Sequence, residues 1–134
     1  MHVQYVALCE QVIMAADGKP SLIGLFNDLQ ASQLPITIPR FAFAARVLFP
    51  ATEAGRSYRV EVQITDPAGA ELGRPGGEVS LPAAPGGVDS VAVDVPIQFD
   101  LFQVNAFGRY TFVLHLDGEP KAAVQLAVRQ AANA

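Results

Sequence analysis

The side chains that could act as nucleophiles or bases are few. The chain contains two histidines, His2 and His115, and one cysteine, Cys9. Nucleophilic catalysis needs a base held beside a nucleophile. Asp117 is placed to orient the His115 imidazole, but no serine or cysteine stands at a recognisable nucleophile elbow. We therefore expect a surface or oligomer-contact histidine, a buried inert thiol and no enzyme; an enzyme centred on His115 is the weaker hypothesis.

Metal and cofactor sites are not indicated either. Zinc sites take three or four cysteine or histidine ligands, and the three candidates are spread over the chain. Calcium needs several converging carboxylates, yet no Asp-x-Asp spacing occurs. We expect the aspartates that precede turn residues to hydrogen-bond their own turns. These are Asp17, Asp66 and Asp117. The sequence thus predicts no metal and no cofactor.

The charge balance and the cysteine count bear on partners and location. Nine cations against thirteen acids give a net charge of −4, and the arginines are scattered without a cluster. A basic patch for nucleic acid or anionic lipid is therefore not expected. The single cysteine cannot form an internal disulfide, and the sequence has neither a glycosylation sequon, a signal-peptide pattern nor an apolar run long enough to span a bilayer. These features predict a cytoplasmic protein.

Hydrophobic periodicity indicates the fold class. Apolar and polar residues alternate strictly over residues 58–65 and again over 91–99, which is typical of half-buried antiparallel strands. Val, Ile, Phe and Tyr occur beside ten Pro and eleven Gly, a mixture that favours strands and turns. We predict an all-β fold, a single antiparallel β-sandwich of immunoglobulin-like type with about eight strands, formed by one domain over residues 1–134.

Turn signals divide the chain further. Asp-Gly pairs at 17–18 and 117–118 predict two hairpins, while prolines fence a short edge strand at 34–38. Residues 69–87 read as a long loop with one short strand at 78–81. Tyr110 opens the C-terminal hairpin and fits a tyrosine corner, so we predict that its hydroxyl is hydrogen-bonded.

One predicted strand, residues 41–49, has two apolar faces. Phe41, Phe43, Ala45, Val47 and Phe49 fill one side, whereas Arg46 is the only polar residue on the other. Such a strand is either central and covered on both sides or presents an apolar patch to a partner. The candidate interaction residues on that second side are Ala42, Ala44, Arg46 and Leu48.

The aromatic residues are expected mainly in the core. Phe102 and Phe107 flank the predicted loop at 100–108, and one of them is a candidate exposed anchor for a partner. An ordered tail over residues 129–134 would fit contact with a neighbouring subunit, and crystal contacts would explain it equally well.

A resemblance is carried by the N-terminal quarter of the chain. Cys9-Glu10-Gln11, followed by the run Asp-Gly-Lys-Pro-Ser-Leu-Ile-Gly-Leu-Phe at 17–26, resembles the opening of a family of small uncharacterised bacterial proteins. The resemblance implies a bacterial, intracellular β-domain and carries over no activity, substrate or site residue.

Two functional hypotheses follow. The first is a non-enzymatic interaction or assembly module that self-associates or docks to a protein partner, using open strand edges or the second side of residues 41–49. The alternative is a small-ligand carrier or receptor with a cavity lined by Phe and Val, which requires an interior void and a few convergent polar groups.

Overall fold

The computed structural model describes residues 1–131, and these residues form ten β-strands. A short 3₁₀ turn over Ala51–Glu53 follows the fourth strand. No helix in the described part of the chain is long and apolar enough to cross a bilayer. The strands are β1 His2–Met14, β2 Pro20–Leu25, β3 Asp28–Ala31, β4 Ile36–Pro50, β5 Ser57–Thr65, β6 Glu71–Gly73, β7 Gly76–Ser80, β8 Ser90–Val104, β9 Gly108–Leu116 and β10 Glu119–Gln130.

The strands form two sheets. The four-stranded sheet has the order β2-β1-β4-β8, and the six-stranded sheet has the order β3-β10-β9-β5-β6, with β7 also paired to β5. Every pair is antiparallel except β3 with β10, which is parallel. The prediction of a purely antiparallel sandwich was therefore wrong for this pair, because β3 reaches the edge of the second sheet by crossing over from the first.

Alternation along the strands builds the core between the sheets. On β4, Phe41 and Phe43 are 1% and 0% exposed, and on β9 Phe112 and Leu114 are both 0% exposed. The rings of Phe41 and Phe112 meet edge to face across the two sheets, with centroids 6.0 Å apart. Phe99 stacks on Phe41 at 5.0 Å. The core is thus filled by side chains from both sheets.

Several predicted elements match the structure and others do not. Both Asp-Gly hairpins form, joining β1 to β2 and β9 to β10. The separate edge strand predicted at 34–38 was wrong, because Ile36 to Ile38 pair with β8 as the first part of β4. The ten strands exceed the predicted eight because the short β3 and β6 carry too few residues for a periodic signal.

The long β4–β8 ladder changes face once. Leu101 has a positive φ of 54°. It lies opposite Pro39, between the paired residues Arg40 with Asp100 and Ile38 with Phe102, and the register is the same on both sides of this interruption. Before this step the inward residues of β8 have odd numbers, such as Phe99, and after it they have even numbers. The kink turns Phe102 into the core and leaves Leu101 73% exposed.

Tyr110 makes the predicted hydrogen bond. Its side chain is 2% exposed, and its hydroxyl donates to the Ala106 carbonyl oxygen and accepts from the Ala106 N–H, each at 3.2 Å. These bonds tie the start of β9 to the β8–β9 loop and satisfy a hydroxyl whose burial would otherwise cost about 1–3 kcal/mol.

Candidate functional site

The side of β4 that the sequence singled out lies on the outer surface of the four-stranded sheet. β4 is central there, with β1 on one side and β8 on the other. Register partners share a face, so Ala42 lies between Cys9 and Gln98, and Ala44 lies between Ala7 and Pro96. We call the outward side chains of β1, β4 and β8 the alanine face.

The alanines are nearly covered although they face away from the core. Ala42 and Ala44 are 4% and 3% exposed. The distal part of the β1–β2 hairpin helps to cover them, because Val12 and Met14 line one small cleft of about 150 Å³ together with Ala42 and Pro96. Residues 41–49 therefore form a central strand with a covered outer side, the first of the two predicted situations. Contact of this side with a partner stays a prediction.

A row of three polar side chains crosses the alanine face. Tyr5, Arg46 and Asp94 are successive register partners on β1, β4 and β8. Arg46 Nη1 lies 3.8 Å from Asp94 Oδ1, and the two side chains are 31% and 18% exposed. Asp94 Oδ1 is buried and has no hydrogen bond within the described residues. Burial raises the pKa of Tyr5, and the Asp94 carboxylate raises this pKa further.

A second ion pair lies at the other end of the same two strands. Arg40 Nε donates to Asp100 Oδ1 at 3.0 Å, and both side chains are more than half exposed, at 65% and 56%. The charges of the alanine face are thus neutralised within the face. The face carries no net charge, and its interior is made of alanine, cysteine and proline.

The β1–β2 hairpin adds exposed apolar side chains beside the alanine face. We call residues 10–25 the arm; none of its side chains belongs to the core cluster or packs against it. Leu25 is the register partner of Cys9, and Ile23 is the partner of Gln11, so both lie on one face of the arm, opposite Val12 and Met14. They are 64% and 45% exposed, and Ile13 is 44% exposed. Water-exposed aliphatic groups in such a cluster are unusual on a monomer surface.

The two candidate anchors of the β8–β9 region, Phe102 and Phe107, lie in different environments. Phe102 lies in the aromatic core, with ring centroids 5.2 Å from Phe41 and 6.1 Å from Tyr110, so it is no exposed anchor. The kink at Leu101 is the reason. Phe107 is 36% exposed in the loop before β9. Leu48, the fourth residue of the predicted patch, is partly exposed on the alanine face, opposite His2 and Ala92.

Sequence reasoning missed the neighbours of Arg46. Tyr5 on β1 and Asp94 on β8 lie on either side of Arg46, and Leu25 and Ile23 lie beside the alanine face. These residues belong to strands whose register the sequence does not specify. The signal available was the outward position of Asp94 in the alternating segment 91–99. For Leu101, the break of alternation between Phe99 and Phe102 was the available signal.

His115 is buried rather than available on the surface, so the prediction of a surface contact was wrong. It points outward from β9 yet is only 8% exposed. Its Nε2 lies 2.9 Å from Gln63 Oε1, and Gln63 Nε2 donates to Glu71 at 2.9 Å. An amide oxygen can only accept, so Nε2 carries the proton. Arg74 also donates to Glu71 at 2.8 Å and is the main reason the pKa of Glu71 is lowered.

The three turn aspartates all accept backbone hydrogen bonds. Asp17 accepts from the Lys19 N–H at 3.1 Å, and Asp66 accepts from Ala68 and Ala70 within its own turn, as predicted. Asp117 differs, because its Oδ1 accepts from the Arg59 N–H on β5 at 2.8 Å instead of bonding its own turn. Its carboxylate therefore ties β5 to the β9–β10 turn.

No constellation for catalysis or metal binding emerges in residues 1–131. No three His, Cys, Asp or Glu side chains of this stretch gather so that they could hold a metal ion. Cys9 is free and buried, and burial raises the pKa of its thiol, which keeps it protonated and unreactive.

The clefts of the described residues lie at the borders of the sandwich. One of about 400 Å³ is bounded by Val60, Val79 and Val95 between the edges of β7 and β8, and another of about 390 Å³ lies beside Phe26 and Ile38. The aromatic side chains that a ligand carrier would need as a cavity lining pack against one another instead. This packing argues against the carrier hypothesis.

Comparison with known proteins identifies the family to which the chain belongs. No curated protein matches the chain at a significant level. Among solved structures, the chain is similar to Pseudomonas fluorescens alkylpurine DNA glycosylase AlkC bound to DNA containing an abasic site analog, at 11% identity and a TM-score of 0.47. The likeness covers 92% of this chain but only 30% of the length of the glycosylase chain. The model of a family of unknown function, DUF6941, matches residues 4–129, and the chain therefore belongs to that family.

Proposed function

We propose that this protein is a non-enzymatic interaction module that docks to a protein through its alanine face and the adjoining side of the arm. The observation that carries this proposal is the cluster of exposed Ile13, Ile23 and Leu25 beside a sheet face without net charge. Centres of protein interfaces are rich in apolar residues, as this cluster is, and the charged residues beside it are paired with one another.

The shape of the region supports the same function. Alanine side chains project little from the sheet, and Ala42 and Ala44 are already nearly covered, so the part of this region that a partner can reach is its border along the arm. Leu25, at 64% exposure, is tall by comparison and stands at the border as an anchor. Burying an aliphatic side chain of this kind contributes about 1.5–3 kcal/mol.

The opposite surface gives no comparable support. Outward residues of β5 and β9 on the six-stranded sheet include Glu61, Gln63, Arg109 and Thr111. Glu61 accepts a hydrogen bond from Arg59, and Arg109 donates one to Gln125. Docking through that side would require the desolvation of several charges. The two outer surfaces thus differ in how many charged side chains a bound partner would remove from water.

We also propose that the sandwich is of immunoglobulin-like type and works in the bacterial cytoplasm. The Tyr110 hydroxyl bonded back to Ala106 at the start of a late strand supports the first point. A free, buried Cys9 in a chain without another cysteine is consistent with a reducing compartment.

Site-specific photo-cross-linking in cells of the source organism tests the docking surface. A photo-reactive amino acid replaces Leu25 or Leu48 on the proposed surface, and Leu72 or Val113 on the six-stranded sheet serves as the matched control. We expect a discrete cross-linked protein product from the first pair only. Adducts from the control pair alone, or no adduct from either pair, would contradict the proposal. A monomer that carries a discrete small-molecule mass in a native mass spectrum would support the carrier instead.

A further inference from the structure

We infer that the cleft at the base of the arm binds an apolar side chain of the partner protein that lies close to a lysine or arginine of the same segment. Because the partner is a protein under the proposed function, this site rests on that function and names the chemistry of the segment that binds. The site is separate from the Ile23 and Leu25 cluster, since neither residue lines the cleft.

The cleft lies where two strands of the four-stranded sheet part. β1 pairs with β4 as far as Cys9 with Ala42, and from Cys9 to Met14 it pairs with β2. The part of β4 before Ala42, residues 36–41, pairs only with β8 within the described part of the chain. The sheet is therefore open on this side of β4, and a cleft of about 390 Å³ lies there.

Four apolar side chains line the cleft, and the core holds them in place. Phe41 is 1% exposed, and Phe26, Leu29 and Ile38 are partly buried against the core cluster. The Phe26 ring meets the Phe41 ring edge to face, with centroids 5.9 Å apart. Ligand pockets are apolar concavities of about 300–1,000 Å³ with a few polar groups. The cleft is near the lower end of this range, so it fits one large apolar side chain rather than a broad surface.

Three charged side chains line the same cleft, and two of them are already paired. Arg40 Nε donates to Asp100 Oδ1 at 3.0 Å, and Arg129 Nε donates to Asp28 Oδ1 at 2.8 Å. Glu10 belongs to no ion pair within residues 1–131. The cleft therefore has one uncompensated carboxylate, which attracts a cation and repels a second carboxylate.

Gly24 allows the Glu10 side chain to lie where it does. Gly24 has a φ of +69°, and a Cβ atom on this residue would lie 2.7 Å from Glu10 Cδ. Glycine inside a strand often marks such a close approach. The Glu10 carboxyl group thus packs against the backbone of β2 beside the cleft, and any larger residue at position 24 would displace it.

An extended protein segment meets both requirements of the cleft with two residues. Side chains two positions apart in such a segment point to the same side, about 6.8 Å from each other. An apolar side chain among Phe26, Leu29 and Ile38 therefore brings a lysine or arginine two positions away towards Glu10. The cation gains the partner charge, and the apolar group leaves water.

The test uses two synthetic peptides of seven residues with blocked ends. One has a leucine and, two positions later, a lysine among threonines, and the other has glutamate in place of the lysine. Each is titrated into the full ¹⁵N-labelled chain, and amide chemical shifts report where and how tightly it binds. We expect the lysine peptide to shift the signals of Glu10, Phe26 and Ile38 and to bind at least about fivefold more tightly than the glutamate peptide.

A charge reversal tests whether Glu10 sets this preference. Glu10→Lys should make the chain prefer the glutamate peptide. The matched control is Glu78→Lys, because Glu78 is also an exposed strand residue without an ion pair in residues 1–131, and it lines the cleft between β7 and β8. It changes the net charge equally and should leave the preference for lysine unchanged. If circular dichroism shows that Glu10→Lys does not fold, Glu10→Gln takes its place and should abolish the preference.

Several results overturn the inference. The two peptides bind equally well, neither shifts the cleft signals, or the Glu10 variant keeps the preference of the unchanged chain. Equally tight binding of 3-methylbutylamine would identify a small amine as the occupant, and shifts of the same signals with protein concentration alone would identify a second copy. If the peptides fail while cross-linking from Leu25 and Leu48 captures a protein, the proposed function stands without this site. If cross-linking fails while the lysine peptide binds as expected, the proposed docking surface is wrong and the cleft remains a peptide site.

Discussion

The two outer surfaces of this sandwich handle their polar groups in opposite ways. On the six-stranded sheet, His115, Gln63, Glu71 and Arg74 form one connected chain of hydrogen bonds. On the four-stranded sheet, Arg46 and Asp94 attract each other at 3.8 Å, but Asp94 Oδ1 has no hydrogen bond in the described residues. Each surface therefore has one buried atom without a hydrogen bond in the described residues, Asp94 Oδ1 on one and His115 Nδ1 on the other. The difference is that His115 is held by side-chain hydrogen bonds, whereas Arg46 and Asp94 are held together by charge at 3.8 Å.

The exposed apolar groups differ in the same sense. On the four-stranded sheet, Ile13, Ile23 and Leu25 form a cluster on one hairpin. On the six-stranded sheet, the single Leu72 of β6 is 50% exposed and lies next to Glu71, whose carboxylate pairs with Arg74. Scattered apolar residues are normal on protein surfaces, while a cluster without net charge marks a contact region. Under the proposed function, stability and binding depend on different sides of this fold.

The largest expected change in the free energy of unfolding comes from a substitution in the core between the two sheets. Phe112 is 0% exposed, and its ring contacts those of Phe41 and Phe99 across the two sheets. Phe112→Ala should lower the free energy of unfolding by about 3–5 kcal/mol, because it removes buried apolar surface and leaves a cavity. Urea unfolding measures this value. Leu101→Ala, at a side chain that is 73% exposed, is the control and should stay within about 0.5 kcal/mol.

A smaller loss of stability is expected when the buried hydrogen bond of the six-stranded sheet is removed. Gln63→Leu removes the acceptor of the buried His115 Nε2–H, so the free energy of unfolding should fall by about 1–3 kcal/mol. The matched change Gln125→Leu, at an exposed glutamine of the same sheet, should have little effect. Protein cross-linking from Leu25 should be unchanged in the Gln63 variant. Weakened cross-linking with unchanged stability would reverse the roles assigned to the two sheets.

The pH dependence of stability should also differ between the surfaces. Hydrogen bonds from Arg129 and Arg74 lower the pKa values of Asp28 and Glu71 at the six-stranded sheet. A lowered folded-state pKa gives stability that is full above the unfolded values of about 3.9 and 4.3 and is lost as the pH falls through the folded values. The unfolding temperatures of Asp28→Asn and Glu71→Gln should therefore lie below that of the unchanged chain at neutral pH. In acid the three unfolding temperatures should approach one another. A difference that persists in strong acid would contradict this assignment.

The alanine face should respond at the alkaline end instead. Burial and the Asp94 carboxylate raise the pKa of Tyr5. A raised pKa gives stability that is present below the unfolded value of about 10 and is lost as the pH rises through the folded value. Tyr5→Phe should therefore lose less stability than the unchanged chain when unfolding is followed from neutral to strongly alkaline pH. An identical alkaline loss in both proteins would exclude Tyr5 as its source.

The smallest effect on stability is expected in the arm. Leu25→Ser alters a side chain that is 64% exposed and outside the core, so the free energy of unfolding should change by less than about 0.5 kcal/mol. Binding of the protein partner should nevertheless weaken, because the substitution removes an apolar anchor from the proposed docking surface. Leu72→Ser is the matched control on the other sheet and should change neither quantity. A Leu25 variant with a large loss of stability would show that the arm supports the fold.

Local patterns in the sequence predicted the strands and the core well, for a physical reason. Alternation over residues 58–65 and 91–99 sets which side chains face inward, and the Asp-Gly pairs fix the turns that close two hairpins. Phe102 escaped this reasoning, because a positive φ at Leu101 changes the face of the strand. A kink of this kind depends on the partner strand as well as on the local sequence.

The candidate site was predicted only in part, because it depends on long-range register. Ala42, Ala44 and Leu48 were identified on one strand, but Asp94 is forty-eight positions from Arg46 and becomes its neighbour only through the pairing of β4 with β8. His115 was misjudged for the same reason. Its outward position follows from alternation, whereas its burial depends on Gln63, which reaches it from β5.

Hydroxyl-radical footprinting of the gently purified protein, with its proposed protein partner bound and again after the partner is dissociated, tests most directly whether the alanine face and the arm form the docking surface. The result we predict is protection of Tyr5, Ile23 and Leu25 in the assembly that is lost on dissociation, with equal modification of Leu72 and Phe107 in both states. Protection of Leu72 with no change at Leu25, or an identical footprint in the two states, would contradict the account.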